Sequence, residues 1–174
     1  MKIAILGAES TGKSSLAADL AVALREKGHT VHPLGEYLRE WCNLHGRTPQ
    51  RDEQAAIAHE QARRISACPD DGITLADTTP LMTAVYSQLL FEDRSLHEAA
   101  LAQQRELDIT FITGLGVPWV ADGHQRDGPH LRASVDALLR DLLVQAGIGF
   151  QVLYGLPHAR LEKVMNAIPF IANH

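Results

Sequence analysis

Residues 7–14 read Gly7-Ala8-Glu9-Ser10-Thr11-Gly12-Lys13-Ser14 and stand near the start of a chain of 174 residues. They follow a short apolar run at positions 3–6 and precede a helical pattern in which Leu16, Leu20 and Leu24 share one face. These eight residues match G-x-x-x-x-G-K-[ST], the pattern of a phosphate-binding loop between a strand and a helix. A plain glycine-rich turn with an accidental lysine is the alternative, and the flanking strand and helix favour nucleotide binding.

The residue types of this loop fit a polyphosphate. Glycines let backbone N–H groups turn inward, and the N-terminus of the next helix attracts the same negative charge. We expect Lys13 to reach the β- and γ-phosphates of ATP as a catalytic cation, and the Ser14 hydroxyl to bind Mg²⁺. The predicted ATP-binding residues of the loop are Gly7, Glu9, Ser10, Thr11, Gly12, Lys13, Ser14 and Ser15.

The composition predicts one compact α/β domain over residues 1–174. Apolar residues make up 45% of the chain, which excludes disorder, and 16 Lys and Arg against 21 Asp and Glu give a formal net charge of −5. We therefore expect no nucleic-acid partner. Without a signal peptide or a run near the roughly 18 apolar residues of a membrane span, we expect a cytoplasmic protein with no membrane partner. Cys42 and Cys68 show neither zinc spacing nor a disulfide framework, which predicts small, partly buried free thiols.

Short apolar runs alternate with helical patterns along the chain. The predicted strands cover residues 2–6, 30–34, 73–77, 108–113 and 150–154. The helix after the loop is expected to end near Lys27, and the later helices cover residues 52–67, 81–91, 95–106 and 134–146, with a last one from about residue 158. Strands that alternate with helices indicate a parallel sheet covered on both faces, so the sequence predicts a three-layer α/β fold.

A carboxylate follows the second predicted strand. Because ligands of open α/β sheets bind beyond the carboxyl ends of the strands, Glu36 is our candidate for a catalytic base that accepts a proton from a substrate hydroxyl. Arg39 lies one helical turn away and is expected on the substrate or its phosphate. The alternative, which spacing alone leaves open, is a solvated helix start with a local ion pair.

A second carboxylate, Asp77, ends the third predicted strand. In phosphate-loop proteins an Asp at this place binds Mg²⁺ directly or through water, so Ser14 and Asp77 are the predicted metal residues. An ordinary strand-end acid is the alternative. Thr79 and Pro80 follow, and they predict the N-cap and the first position of the next helix.

A polar segment after the fourth predicted strand predicts a lid over approximately residues 119–134. We expect it to bring guanidinium groups to the transferring phosphoryl group: Arg126 as a catalytic residue, and Arg126 and Arg132 as ATP-binding residues. A plain surface loop is the alternative. After the fifth strand, Gly155-Leu156-Pro157 predicts a turn beside the adenine ring.

Four stretches occur in order along the chain: the loop at 7–14, Glu36-Tyr37-x-Arg39-Glu40, Asp77-Thr78, and Pro118-Trp119-Val120-Ala121-Asp122-Gly123 followed by arginines. This ordered set resembles the NadR-type ribosylnicotinamide kinase domain over roughly residues 1–168. The resemblance implies a kinase-type P-loop fold with strand order 2-3-1-4-5 and a small lid. It also implies transfer of the ATP γ-phosphate, with Mg²⁺, to the ribose 5′-hydroxyl of nicotinamide riboside. The implied substrate-binding residues are Glu36, Tyr37, Arg39, Asp77, Trp119 and Asp122.

The sequence departs from that family's pattern at two positions. Gly35 stands where family kinases tend to place an aromatic residue, and Thr79 stands where they place a second carboxylate. The first position concerns the acceptor and the second the acceptor or the metal, so two other hypotheses stay open beside the ribosylnicotinamide kinase. One is a nucleoside or nucleotide kinase of other specificity, and the other is an ATP-binding or ATPase regulatory module without a small-molecule acceptor.

Overall fold

The computed structural model describes residues 1–116 and 129–169. Within them a five-stranded sheet has the order β2-β3-β1-β4-β5, and every neighbouring pair of strands is parallel. The strands are β1 (Lys2–Leu6), β2 (Val31–Leu34), β3 (Ile73–Asp77), β4 (Ile109–Thr113) and β5 (Gln151–Leu153). The predicted strand order is confirmed, and each predicted strand is present within two residues of its expected bounds.

Helices fill the connections between the strands, as right-handed crossovers between parallel strands require. In the described residues they are α1 (Lys13–Glu26), α2 (Tyr37–His45), α3 (Gln54–Ser66), α4 (Pro80–Phe91), α5 (His97–Gln104), α6 (Arg132–Gln145) and α7 (Pro157–Ala167). The helix after the loop ends as predicted, with Gly28 in the left-handed region at φ 86°. Helix α6 begins two residues earlier than predicted, so Arg132 belongs to its first turn.

Alternate residues of the strands feed two separate hydrophobic cores, one on each face of the sheet. On one face Ala4 and Leu6 of β1 pack with residues of α4 and α6, among them Val85 and Leu139. On the other face, Ile3 and Ile5 pack with residues of α1 and α7; buried members of this core include Leu20, Leu24, Leu75, Phe111 and Val164. Because each core is closed by helices, the arrangement is the predicted three-layer α/β fold.

The start of α4 differs in one detail from the prediction. Thr79 occupies the N-cap position and Pro80 the first turn, as expected, but the Thr79 side chain makes no capping hydrogen bond. Its buried hydroxyl instead donates to Gln104 Oε1 at 2.7 Å, and Gln104 Nε2 donates to the Thr110 hydroxyl at 2.9 Å. The hydroxyl is turned toward α5 because the buried Gln104 amide needs a partner there.

Two smaller expectations concern the cysteines and membranes. Neither cysteine forms a disulfide, and Cys42 is buried and Cys68 partly buried, as the sequence predicts. None of the helices in the described ranges combines the length and the apolar character that crossing a membrane needs.

Candidate active site

The phosphate-loop sequence lies between β1 and α1, at the carboxyl edge of the sheet. Gly7 has φ +143°, and a Cβ at this position would overlap the Thr113 hydroxyl and lie 2.8 Å from the Thr113 carbonyl oxygen. Position 7 therefore accepts only glycine without a shift of β4. Behind the loop, the Thr11 hydroxyl donates to the Ala8 carbonyl at 2.7 Å and lies 2.6 Å from the Thr113 hydroxyl. These buried contacts fix the shape of the loop.

Lys13 begins α1 and folds its side chain back over the loop, where Nζ donates to the Ala8 carbonyl at 2.9 Å. Burial lowers the pKa of Lys13, while the nearby carboxylates of Glu36 and Asp77 oppose that shift. The ammonium group thus stands in a poorly solvated place between carboxylates from two other segments. An anion of high charge, such as a polyphosphate, would offset the lost solvation.

Arg39 joins two of the predicted site residues. Its Nη1 donates to the Ser14 hydroxyl oxygen at 3.1 Å, and its Nη2 lies 3.1 Å from Glu36 Oε2. Glu36 stands at the N-cap of α2, two residues beyond β2, and its side chain is only 12% exposed. The local Glu36–Arg39 ion pair is therefore present, and it faces the phosphate loop rather than open solvent.

Asp77 ends β3 and stands opposite Ile5 of β1 in the sheet register. The residue is 6% exposed, and within the described ranges its buried Oδ1 has no hydrogen-bond partner. A buried carboxylate oxygen without a donor is costly, and a cation would satisfy it. The described residues hold no group of three or more His, Cys, Asp or Glu side chains suited to a metal. One carboxylate and the Ser14 hydroxyl nevertheless suit Mg²⁺, which keeps several waters and takes other ligands from phosphates.

A cavity of about 490 Å³ is lined by phosphate-loop residues together with residues of α2, of the segment before α3 and of α4. The side chains that α4 contributes to the lining are mostly apolar or aromatic. The lining from the loop and α2 is Gly7, Glu9, Ser10, Lys13, Glu36, Leu38, Arg39 and Cys42. The rest is Arg47, Thr48, Pro49, Gln50, Gln54, Thr78, Met82, Thr83, Tyr86, Leu90 and Phe91. Its volume is typical of sites for small molecules.

Other predicted residues lie away from this cavity. The Tyr37 ring packs under the Arg64 guanidinium, with Cζ 4.4 Å from the ring centroid, and Tyr37 is not among the lining residues. Ser15 is exposed on α1, and Arg132 stands at the start of α6 outside the lining. Three predicted residues and most of the predicted lid fall outside the described residues; the three are Trp119, Asp122 and Arg126.

Sequence reasoning missed Gln61, a buried glutamine of α3 that is 2% exposed. Its Oε1 accepts a hydrogen bond from the Tyr37 backbone N–H at 2.8 Å. Its Nε2 donates to the carbonyl oxygens of Gly35 at 3.4 Å and Thr78 at 3.3 Å. One amide thus joins the backbone on both sides of Glu36 to the turn after Asp77. Its position in an Ala- and Gln-rich helix gives no local signal of this role.

Sequence reasoning also missed Arg160 of α7, which is 4% exposed. Its guanidinium donates to the carbonyl oxygens of Thr11 at 2.6 Å, Gly155 at 2.9 Å and Gly114 at 3.4 Å. Burial lowers its pKa. The partners lie up to 149 positions away along the chain, so no local pattern could identify them.

A family model described as an AAA domain, AAA_28, matches residues 2–160. Among curated proteins none matches this chain in sequence.

Solved structures share the fold. A crystal structure of the NadR protein in complex with NR is 19% identical, with a TM-score of 0.76 over 99% of this chain and 51% of that one. Deoxyadenosine kinase from M. mycoides, with the products dCMP and dCDP bound, is 16% identical, with a TM-score of 0.66 over 98% and 100% of the two chains. Thymidylate kinase from Ehrlichia chaffeensis is 15% identical, with a TM-score of 0.67 over 94% and 96%. The chain thus spans about half of that NadR chain. These matches confirm the predicted P-loop kinase fold and, at the level of the fold, the resemblance to the NadR kinase domain.

Proposed function

Because this chain belongs to the AAA domain family AAA_28, matched over residues 2–160, and has the fold of nucleoside and nucleotide kinases, we propose that it is an ATP-dependent kinase. Its acceptor is the hydroxyl of a nucleoside-type small molecule similar to nicotinamide riboside. The observation that carries the proposal is the cavity of about 490 Å³ in which Lys13 and Glu36 share a lining with apolar and aromatic side chains.

The loop end of this cavity is the ATP end. Backbone N–H groups of a loop held open by Gly7 would surround the β- and γ-phosphates, and the N-terminus of α1 adds positive potential. Lys13, already poorly solvated, would exchange its contact with the Ala8 carbonyl for phosphate oxygens. Arg132, and Arg126 from the predicted lid, are the arginines that would neutralise charge on the transferring phosphoryl group.

Mg²⁺ is part of the proposal, with Ser14 and Asp77 as the residues that would hold it. The buried, unpartnered Asp77 Oδ1 supports this assignment, and the Ser14 hydroxyl stands at the start of the same helix as Lys13. When bound, Mg²⁺ neutralises charge on the β- and γ-phosphates. Before it binds, Arg39 holds the Ser14 hydroxyl at 3.1 Å.

Glu36 is the proposed catalytic base. Its carboxylate lines the cavity between the loop and the apolar end, which is where an acceptor hydroxyl must stand to attack the γ-phosphate in line. Glu36 would accept the hydroxyl proton during the attack. The 3.1 Å contact with Arg39 fixes the direction of the carboxylate.

The far end of the cavity supports a nucleoside rather than a nucleotide acceptor. Arg47, which also lines the cavity, donates to both oxygens of Glu53 at 2.7 Å, and this hydrogen-bonded pair lowers the pKa of Glu53 to about 2. Arg47 already has a carboxylate partner, so an acceptor phosphate would have to displace Glu53 from it. Tyr86 and Phe91 supply aromatic surface for a flat ring at a site whose Gly35 contributes none. A ribosylnicotinamide-like acceptor fits this set, and a role in cytoplasmic NAD metabolism follows from that assignment.

A coupled ATP-consumption assay with a panel of nucleosides, nicotinamide riboside among them, tests the proposal. We expect turnover that depends on acceptor and Mg²⁺. Glu36→Gln should lower kcat about 100-fold or more, because general base catalysis contributes on that order, and should leave MgADP affinity unchanged. Glu26→Gln, at the exposed end of α1, is the matched control and should behave like the wild type.

Two results would contradict this reading. Slow ATP hydrolysis with no effect of any acceptor would favour the regulatory module over the kinase. If the wild-type protein gives no calorimetric signal with MgADP at millimolar magnesium, the proposal that it binds nucleotide is refuted. Lys13→Met tests nucleotide binding separately from acceptor-dependent turnover. This variant should not bind MgADP, while the protein stays folded.

A further inference from the structure

Arg160 connects three loops at the carboxyl edge of the sheet. Thr11 belongs to the phosphate loop after β1, Gly114 directly follows β4, and Gly155 lies in the turn after β5. The Arg160 guanidinium donates to a backbone carbonyl of each of them, at 2.6, 3.4 and 2.9 Å respectively. A planar guanidinium with donors in a fixed fork can serve three acceptors in different directions at once.

Within residues 1–116 and 129–169, no carboxylate balances the charge of Arg160. No Asp or Glu of these residues forms an ion pair with it, and the three groups that accept its hydrogen bonds are neutral carbonyls. Burial is the one cause that lowers its pKa. Buried charges in proteins are usually paired, because desolvation without a counter-charge is unfavourable. The position of this charge therefore points to an anion that arrives from outside the chain.

The anion with the right location is the nucleotide phosphate. Arg160 Nη1 touches the Thr11 carbonyl and lies 3.9 Å from where a Cβ on Gly12 would stand, directly behind the loop. Because Arg160 is 4% exposed, it does not reach into the cavity; it acts through the loop backbone. At low local dielectric, a full positive charge so close behind the loop raises the potential that a phosphate experiences.

We propose that Arg160 is a positioning residue for the nucleotide: it holds the loops after β1, β4 and β5 in one arrangement and adds positive potential behind the phosphate loop. This inference rests on the proposed function, since it assumes that the loop binds ATP. The turn after β5 is predicted beside adenine, so Arg160 links the phosphate loop to the base end of one nucleotide site.

Arg160→Lys and Arg160→Met test the inference together. Lysine keeps the charge but lacks the fork, so it can serve fewer of the three carbonyls; methionine removes charge and hydrogen bonds while keeping an unbranched side chain. Arg25→Met is the matched control, because Arg25 also donates to a backbone carbonyl, that of Val31 at 3.1 Å, but at the other end of α1. Calorimetry with MgADP gives the Kd, and melting with and without MgADP gives the ligand-dependent rise in Tm.

We expect Arg160→Lys to weaken MgADP binding about tenfold and Arg160→Met by more, in line with the loss of hydrogen bonds from a charged donor. In turnover, KM for ATP should rise while KM for the acceptor stays near its wild-type value. Arg25→Met should leave Kd unchanged even if it lowers Tm. The rise in Tm with MgADP should shrink in both Arg160 variants.

The outcomes separate this inference from the proposed function. Wild-type protein that does not bind MgADP refutes both. Wild-type binding together with an unchanged Kd for Arg160→Lys overturns the inference alone. An Arg160→Lys variant whose Tm falls equally with and without MgADP also overturns it, since Arg160 would then act only on folding. If Arg160→Met does not fold, the lysine variant decides.

Discussion

Gln61→Leu removes the amide that holds the backbone around Glu36, and leucine nearly conserves the volume. Gln61 is 2% exposed and makes three hydrogen bonds to backbone groups of other segments. The shortest is the 2.8 Å bond from the Tyr37 N–H, which belongs to the first turn of α2, where helix N–H groups lack intrahelical partners. Glu36 makes no side-chain cap there, so Gln61 performs the capping from a neighbouring helix.

The cost of the substitution follows from these distances. Leaving the Tyr37 N–H without its partner should cost about 1–3 kcal/mol. The bonds to the Gly35 and Thr78 carbonyls, at 3.4 and 3.3 Å, are near the long end of hydrogen-bond geometry and contribute less. We expect Gln61→Leu to lower the free energy of unfolding by about 2–4 kcal/mol in urea denaturation, with the m-value unchanged.

Gln103→Leu is the matched control. Gln103 is also a buried glutamine, 9% exposed on α5, but in the described part of the chain neither its Oε1 nor its Nε2 has a hydrogen-bond partner. Replacing an unsatisfied buried amide with an apolar group of similar size should be neutral or stabilising. The same substitution at two buried positions should therefore change stability in different directions.

The functional readout concerns the acceptor. Gln61→Leu frees the segment that carries Glu36 and the turn after Asp77, so kcat and KM for the acceptor should worsen, with kcat/KM about tenfold lower. The Kd of ADP measured in EDTA should stay within about twofold, since none of the three hydrogen bonds of Gln61 involves a residue of the phosphate loop. If Gln61→Leu is no less stable than Gln103→Leu, or if it weakens ADP in EDTA as much as it weakens the acceptor, the assignment of Gln61 to the acceptor side is refuted.

Three further changes give separate tests. Gly7 has φ +143° and a Cβ there would clash with Thr113, so Gly7→Ala should lower the free energy of unfolding by at least about 3 kcal/mol in a urea titration. Gly28 has φ +86° with nothing within 4 Å of a Cβ, so Gly28→Ala should lower it by only about 1–2 kcal/mol. Equal losses would contradict the steric argument. Asp77→Asn should weaken ADP binding about tenfold with Mg²⁺ and hardly at all in EDTA, measured by calorimetry; a loss in EDTA of the same size would argue against a metal role. Burial lowers the pKa of His97, so the imidazole binds a proton more readily in the unfolded chain than in the folded one. The contribution of His97 to stability should therefore be fully present above about pH 6.5 and be lost at lower pH. His97→Asn should reduce the fall in Tm between pH 7 and 5.

The place of the phosphate-loop sequence between β1 and α1 could be predicted from the sequence because its determinants are local. A short apolar run, glycines with defined backbone roles and a helix start occur within about twenty residues, and Glu36 and Asp77 directly follow strands whose ends meet at one edge. The strand order came from the resemblance and not from the residues. Thr79 is the N-cap of α4 as predicted, but its side chain makes no capping hydrogen bond because its hydroxyl donates to Gln104, 25 positions later.

The helices at 81–91 and 95–106 could be expected to cover the sheet and line an acceptor site, but the individual residues of the proposed acceptor end could not be predicted, because they carry no local sign of their role. Met82, Tyr86 and Phe91 lie on α4, whose apolar character equally fits a helix that only covers the sheet. Whether such a side chain faces the core or a cavity depends on how α2 and α3 pack beside α4, which is a property of tertiary contacts. The role of Arg160 could not be predicted from the sequence for the same reason, because it depends on three loops that meet only in the folded chain. A change of acceptor specificity in this fold should therefore require substitutions on α4 rather than in the phosphate loop. We expect substitutions of Tyr86 and Phe91 to alter which acceptor is used while KM for ATP stays constant.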